Sequence, residues 1–400
     1  MTEESRSVLC LSSYQKGADF LREAKRQGRH VILLTTEALQ GGEWPYESID
    51  EIFGMPSLSD LDAVTNGVSY LARTRIIDRI VPLDEYDVPM AAALREHLRL
   101  PGMTVSRARL FRDKLAMRTQ ASEHRIVVPE FTSLFNDAQV HAFTQRVPPP
   151  WVLKPRAEAS AIGIAKVDGA EELWQRLNDL GDRRSHFLLE RYVPGDVYHV
   201  DSIVHGGAVI FAEAHRYVTP PMDVFHGGGI SMSRTVARGS EEEGHLQILN
   251  THVISALGME QGVTHMEFIR GREDGRFHFL EVAARVGGAY TAEMIEAATG
   301  INLWREWARL EVQGDAYELP ERRQVHGGVI VSLARQEHPD TSAYTDPEIA
   351  YRITKRHHVG FVLASESEER IGALQEEYGW RVAADFGASM PAWQERPPET

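Results

Sequence analysis

Residues 262–288, GVTHMEFIRGREDGRFHFLEVAARVGG, decide how the rest of the chain is read. Val263 to Ile269 alternates and is rich in β-branched residues, Gly271 to Gly275 is a polar turn containing Asp274, and Phe277 to Val282 alternates again, so an antiparallel hairpin is predicted. Glu267 and Glu281 then lie on adjacent strands and can point into one site. Two facing carboxylates repel unless a cation lies between them, and a hard divalent ion with oxygen ligands, Mg²⁺ above all, is the usual solution. Arg285 follows Glu281 by four residues, where a fixed positive charge can hold a phosphoryl oxygen or a substrate carboxylate. The same residues also read as a surface hairpin with solvated acids, so the rest of the chain must arbitrate.

Upstream, Ser7 to Leu11 and His30 to Thr35 are short apolar runs separated by a helical stretch, Gly17 to Gln27, that stops at Gly28. The alternation continues through Ile49 to Phe53, a helix over Asp60 to Ala72, a strand over Arg79 to Leu83 and a helix over Val88 to Leu98, which predicts a parallel sheet with helices on both faces. The first turn, SSYQKG, lacks the glycine pattern of a dinucleotide site. Pro101-Gly102 then opens a second region with a helix over Ser106 to Ser122, and Pro148-Pro149-Pro150 leads into a strand at Trp151 to Lys154. Val197 to Val204 and Ala208 to Ala214 read as antiparallel strands, Glu241 to Leu257 as a long helix, and Glu293 to Val312 as one helix whose Leu303, Trp307 and Leu310 share a core face.

Composition bounds the function. The 400 residues suit two or three domains, and 42% hydrophobic with 25% charged residues is ordinary for a globular protein. A net charge of −15 argues against a nucleic-acid partner and leaves room only for a local basic pocket. Cys10 is the only cysteine, which excludes a disulfide frame and a cysteine-based zinc site and favours a reducing compartment. The acidic start MTEESRS and the absence of any run of about 18 apolar residues predict a cytoplasmic protein without signal peptide or membrane span.

Three further segments carry chemistry. Lys154 ends an apolar strand ahead of the small-residue loop Arg156 to Gly163, which suits close approach of backbone N–H groups to a phosphate, although it is not a Walker-type loop and also reads as an ordinary turn beside a solvated lysine. FLLERYVPG sets Glu190, Tyr192 and Val193 at a strand end where extended backbone can read an adenine edge; by itself Glu190 reads as an exposed glutamate. His265 and Glu267 have the spacing of a metal pair on one strand face, but without an i, i+4 partner or a cysteine, His265 reads better as a structural or substrate-contact histidine.

Taken in order, Arg112-Asp113-Lys114, VLKPRAEASAIGIAKV, FLLERYVPGD, HMEF and FLEVAARVGG make the chain resemble the ATP-grasp superfamily over roughly residues 5 to 335, closest to its carboxylate-amine ligase and biotin carboxylase-like branch. The resemblance implies an α/β and α+β fold: an N-terminal parallel-sheet domain over 1–105, a small lid subdomain over 106–195, an antiparallel catalytic subdomain over 196–335 and a C-terminal α/β segment over 336–400. It implies that Lys114 and Lys154 contact ATP phosphates, that Ser160 and Gly163 belong to a phosphate-covering loop, and that Glu190, Tyr192 and Val193 form the adenine hinge. Glu267 and Glu281 would hold Mg²⁺ or Mn²⁺, and Arg285 would act on the phosphoryl group or the substrate carboxylate. His226 and Gly228, in a glycine-rich loop, are substrate-contact candidates.

Two positions depart from the family pattern. Ala283 stands where an asparagine often supplies a further metal ligand, and Val197 stands near where a glutamate often holds the ribose, with Asp196 or Asp201 as substitutes. The activity implied is ATP-dependent ligation of a carboxylate and an amine, amino acids being the expected substrates, through an acyl-phosphate with release of ADP and phosphate. A carboxylase-type subunit acting through carboxyphosphate and a nucleotide-binding protein without catalysis are the rival readings. Analogy with related enzymes suggests a homodimer, and no membrane or nucleic-acid partner is expected.

Overall fold

Strands whose side chains are apolar on both faces need cover on both, and the first hundred residues supply it. The computed structural model describes residues 6–159, 162–222, 224 and 229–388. Strands β1 (Ser7–Ser12), β2 (His30–Thr36), β3 (Glu51–Met55) and β4 (Ile77–Pro82) form a parallel sheet in the order β3-β2-β1-β4. Helices α1 (Ala18–Arg26), α2 (Leu61–Leu71) and α3 (Val88–Leu98) connect and cover it, as the alternation predicted. Strand order reverses direction at the β1/β4 boundary, the place where parallel α/β sheets leave a crevice at their carboxyl ends.

The helix predicted over Ser106 to Ser122 is two helices, α4 (Val105–Arg109) and α5 (Lys114–Glu123). Asp113 causes the break: its carboxylate accepts the N–H groups of Leu115 and Ala116 and starts a new helix with Lys114 at its first position. A small antiparallel sheet follows, β5 (Phe131–Ser133), β6 (Trp151–Pro155), β7 (Ala165–Val167) and β8 (Phe187–Arg191) in the order β5-β8-β6-β7, packed on α6 (Asp137–Arg146) and α7 (Ala170–Leu180).

Among the described residues the large sheet has eight strands. β9 (Gly195–His205), β10 (Ala208–Tyr217), β11 (Ser231–Thr235), β12 (Gly262–Gly271) and β13 (Phe277–Ala283) are joined by β14 (His326–Leu333), β15 (Ile349–Arg352) and β16 (His358–Ser365), in the order β13-β12-β9-β10-β11-β14-β16-β15. The sequence boundary at residue 336 therefore falls between strands of one sheet. Helix α8 (Glu241–Leu257) covers one face, where Leu246, Val253 and Leu257 pack with Met266, Phe268 and Phe279. The helix predicted over Glu293 to Val312 is also divided, into α9 (Thr291–Thr299) and α10 (Leu303–Gln313). Gly300 ends the first at φ 82°, and the Asn302 side chain accepts the Arg305 N–H to start the second. Leu303, Trp307 and Leu310 are buried on one face of α10, as expected. Helix α11 (Glu368–Asp385) closes the fold against β14 and β16. Among the described residues no helix is long and apolar enough to cross a membrane.

Candidate active site

Strand β12 alternates in two senses at once. Met266 and Phe268 point into the core under α8, which leaves His265, Glu267 and Ile269 on the opposite face, lining a cleft of about 550 Å³. Strict alternation on β13 would send Glu281 the same way as the core residue Phe279. A bulge intervenes: Phe268 pairs with Phe279, but Glu267 pairs with Glu281, so Leu280 is the extra residue and Glu281 comes to Glu267's face. The backbone groups freed by the bulge are satisfied, since the Phe279 N–H donates to the Val127 carbonyl at 2.8 Å and the Arg118 guanidinium donates to the Leu280 carbonyl.

The cations predicted from sequence converge on these carboxylates. Lys114 Nζ is 2.9 Å from Glu281 Oε2 and 2.5 Å from the Glu158 carbonyl. Burial alone would raise the Glu281 pKa, but the charges of Lys114 and Lys154 outweigh it and hold the carboxylate down at about 2. Lys154 and Glu190 are both buried and 2.5 Å apart, so neither the solvated lysine nor the exposed glutamate is found. The second oxygen of Glu190 accepts from Arg118 Nε at 3.1 Å, and Arg118 Nη2 lies at ion-pair distance from it, 3.0 Å. Burial depresses Lys154 to about 8, with Glu190 pulling it back upward.

Arg118 was invisible to sequence reasoning, which had no partner to offer it; in the fold it is wholly buried and ties α5, Glu190 and the β13 bulge together. Because Glu190's carboxylate is engaged from both sides, its side chain is not directed at a base edge. Tyr192 and Val193 line the cleft, and the Tyr192 N–H donates to the Pro150 carbonyl at 3.1 Å.

Arg285 lines the cleft with its Nε 3.6 Å from Glu85, and its Nη1 donates to the Val286 carbonyl. Glu85 also pairs with Arg112 at 3.5 Å, and Asp84, fully buried, pairs with Lys16. These acids follow β4 at the strand-order reversal and are functional candidates that motif reading missed; the topology rule for parallel sheets is the signal that could have found them. Asp196 is half exposed beside the cleft and pairs with Arg216 at 2.8 Å. Asp201 is completely buried and accepts from His199 and His265, so it is not available to a ribose. Gly163 adopts φ 69° at the end of the small-residue loop. Ser160, His226 and Gly228 lie outside the described residues.

The donor set is chemically coherent. Two carboxylates that are direct cross-strand partners, within reach of two lysines and an arginine, offer hard oxygen ligands for a divalent cation and fixed charge for phosphate oxygens. Arg285 Nε, buried and without a hydrogen-bond partner, is a donor still to be used.

Comparison with known proteins agrees with this geometry. Residues 147–293 match the ATP-grasp domain and residues 21–102 the ATP-grasp N-terminal domain. The chain is 22% identical over 272 residues to the L-arginine-specific L-amino acid ligase of Bacillus subtilis, covering 66% of this chain and 65% of that protein. It is 24% identical over 157 residues to the D-alanine–D-alanine ligase of Neisseria meningitidis, covering 39% of this chain and 51% of that one. The chain thus spans less than two thirds of the length of either relative. The crystal structure of an L-amino acid ligase from Bacillus licheniformis superposes with a TM-score of 0.76 at 20% identity, over 98% of this chain and 100% of the other. The two matched domains together take in more than half of the chain and hold three of the four strands of the parallel sheet, Lys154 and the paired carboxylates, and the chain belongs to the ATP-grasp superfamily.

Proposed function

We propose that this protein is an ATP-dependent ligase that joins a carboxylate to an amine and releases ADP and phosphate. The observation that carries the reading is the cross-strand pairing of Glu267 with Glu281 in a cleft that also holds Lys154 and Arg285. Such a site has charge complementarity for phosphoryl transfer and needs no nucleophilic side chain, because positioning and electrostatics supply the catalysis.

Glu267 and Glu281 would hold Mg²⁺ or Mn²⁺, which when bound draws charge from the phosphate oxygens. Lys114 and Lys154 neutralise phosphate charge, and Glu190 with Arg118 fixes Lys154 in place. Tyr192 and Val193 form the wall against which a purine edge lies, and Asp196 is the group available to the ribose. Arg285 orients the substrate carboxylate so that its oxygen attacks the terminal phosphorus and ADP departs. The amine then attacks the acyl carbon, the C–O bond to phosphate breaks, and an amide forms with loss of a proton. Glu85, facing Arg285 from the end of the parallel sheet, suits an ammonium group, which supports amino acids as substrates. The names of the relatives, an L-amino acid ligase and a D-alanine–D-alanine ligase, point the same way.

The experiment is release of ADP and phosphate from ATP and Mg²⁺ with pooled amino acids, pooled small carboxylic acids or bicarbonate, against Glu281→Gln. Stimulation by amino acids together with a new amide in the products supports the ligase. Stimulation by bicarbonate alone would replace it with the carboxylase reading, and tight ATP binding without turnover under any pool would replace it with a binding protein.

A further inference from the structure

On the same sheet face, immediately beyond Glu267, five polar side chains take no part in the reaction as proposed. Cross-strand register sets them in two rows: Glu281, Glu267, His199 and His215 in one, and Ala283, His265, Asp201 and Glu213 in the next. Asp201 is the centre. Its Oδ2 lies 2.7 Å from His199 Nδ1 and 3.5 Å from His215 Nδ1, and its Oδ1 lies 2.9 Å from His265 Nδ1. Asp201, His199 and His215 are entirely buried.

With Nδ1 held by Asp201, the His265 ring has its Nε2 directed at Glu267 Oε1, 3.6 Å away. The same oxygen accepts the Tyr217 hydroxyl at 3.0 Å. A lid of backbone completes the arrangement: a Cβ on Gly287 would stand 2.7 Å from Asp201 Oδ1 and 2.9 Å from His265 Nδ1. The pair is therefore packed against the segment that carries Arg285, two residues earlier.

Burying a carboxylate is expensive unless its oxygens are fully engaged, and here the engagement extends to a carboxylate of the cleft. We propose that Asp201 and His265 are positioning residues that orient Glu267 for the divalent cation, with Tyr217 steadying the same oxygen. The inference rests on the metal role of Glu267 in the proposed function. Outer partners that fix a ligand's orientation are a general requirement of metal sites. His199, Asp201 and His265 also have donor atoms within 4.8 Å of one another, close enough to hold a metal ion. The hydrogen-bonded reading is preferred because His199, Asp201 and His265 find partners without an ion: His199 Nε2 reaches Ser233 Oγ at 2.7 Å and both oxygens of Asp201 are occupied by ring nitrogens, while the cluster's buried ring nitrogens left without a hydrogen bond belong to His215, outside that triad.

The test uses the full chain with ADP and Mn²⁺, reading free Mn²⁺ by electron paramagnetic resonance and metal-free ADP binding by calorimetry. His265→Ala and Asp201→Asn are expected to weaken Mn²⁺ binding by roughly ten- to a hundredfold while metal-free ADP affinity stays within about twofold. His265→Gln, whose amide reaches toward the Nε2 position, recovers part of the loss. Equal loss of metal-free ADP affinity, or unchanged Mn²⁺ affinity in folded variants, overturns the proposal. So does a stoichiometric transition metal in the wild-type protein, which would make the cluster a metal site in its own right. If these variants do not fold, Tyr217→Phe is expected to weaken Mn²⁺ by roughly fivefold, and no change there overturns it as well. A wild-type protein that binds ADP but no Mn²⁺ would remove the proposed function itself, and the inference with it.

Discussion

Glu267 and Glu281 are direct cross-strand partners although their neighbours Phe268 and Phe279 are partners as well, and the single extra residue between those pairs, Leu280, is what turns Glu281 out of the core. Two carboxylates held side by side, with Lys114 on one of them, concentrate negative charge that a divalent cation would neutralise. Glu281→Gln removes one of the two negative charges and leaves Lys114 with the Glu158 carbonyl but no anionic partner. Nucleotide turnover is expected to fall by roughly a hundredfold or more, the scale for losing one preorganised charge-stabilising group. Steady-state assay over a Mg²⁺ titration checks it, and wild-type turnover at ordinary Mg²⁺ would sink the assignment.

Arg118 carries the structural side of the site. Arg118→Met leaves the buried Glu190 with Lys154 alone and the Leu280 carbonyl without its donor. Breaking a buried pair in this way is expected to destabilise by about 3–5 kcal/mol. Urea unfolding followed by tryptophan fluorescence measures it, and a loss below about 1 kcal/mol, the scale of an exposed pair, would show that the pair is not structural.

Lys154 gives the site a basic limit. Burial depresses its pKa to about 8, so in the free enzyme the charged form is complete well below pH 8 and disappears as pH rises through that value. kcat/KM for ATP, which reports the free enzyme, is expected to decline above about pH 8 with one ionisation. Lys154→Arg, whose guanidinium stays charged, should lower the plateau but remove that limb. An identical alkaline limb in the arginine variant would assign it to another group.

Glu85 tests the amine side. It faces both Arg112 and Arg285, at 3.5 and 3.6 Å, and Glu85→Gln keeps its shape while removing its charge. KM for the ammonium-bearing substrate is expected to rise about tenfold, equivalent to ~1.4 kcal/mol, with KM for ATP nearly constant. A rise confined to ATP would move Glu85 out of the substrate pocket.

Gly287 has no room for a methyl group beside Asp201 and His265. Gly287→Ala is expected to cost about 1–3 kcal/mol through overpacking and to lower the Tm. Wild-type stability together with full Mn²⁺ affinity would mean that this loop yields more readily than its packing suggests.

Much of the architecture is legible in the sequence because it depends on local periodicity. The βαβ alternation before Leu98, the hairpin around Asp274 and the core face of Leu303, Trp307 and Leu310 all follow from spacing that neighbouring residues enforce. The helix breaks at Asp113 and Gly300 were legible in principle, from a capping aspartate and a left-handed glycine, but continuous polar and apolar patterning masked them. The site was legible as residue types in order, and only in part as contacts: Glu190, read by itself as an exposed acid, is the buried anchor of Lys154.

What the sequence alone determined is which chemistry can occur: two acids at strand spacing, two lysines, an arginine and the order that makes them an ATP-grasp chain. The tertiary structure decided which of them meet. The bulge at Leu280, the burial of Arg118 between α5 and β13, the approach of Glu85 to Arg285 and the clasp of Asp201 on His265 each join segments far apart in the chain. Strand register and burial are set by packing of whole sheets against helices, and no window of neighbouring residues contains that information.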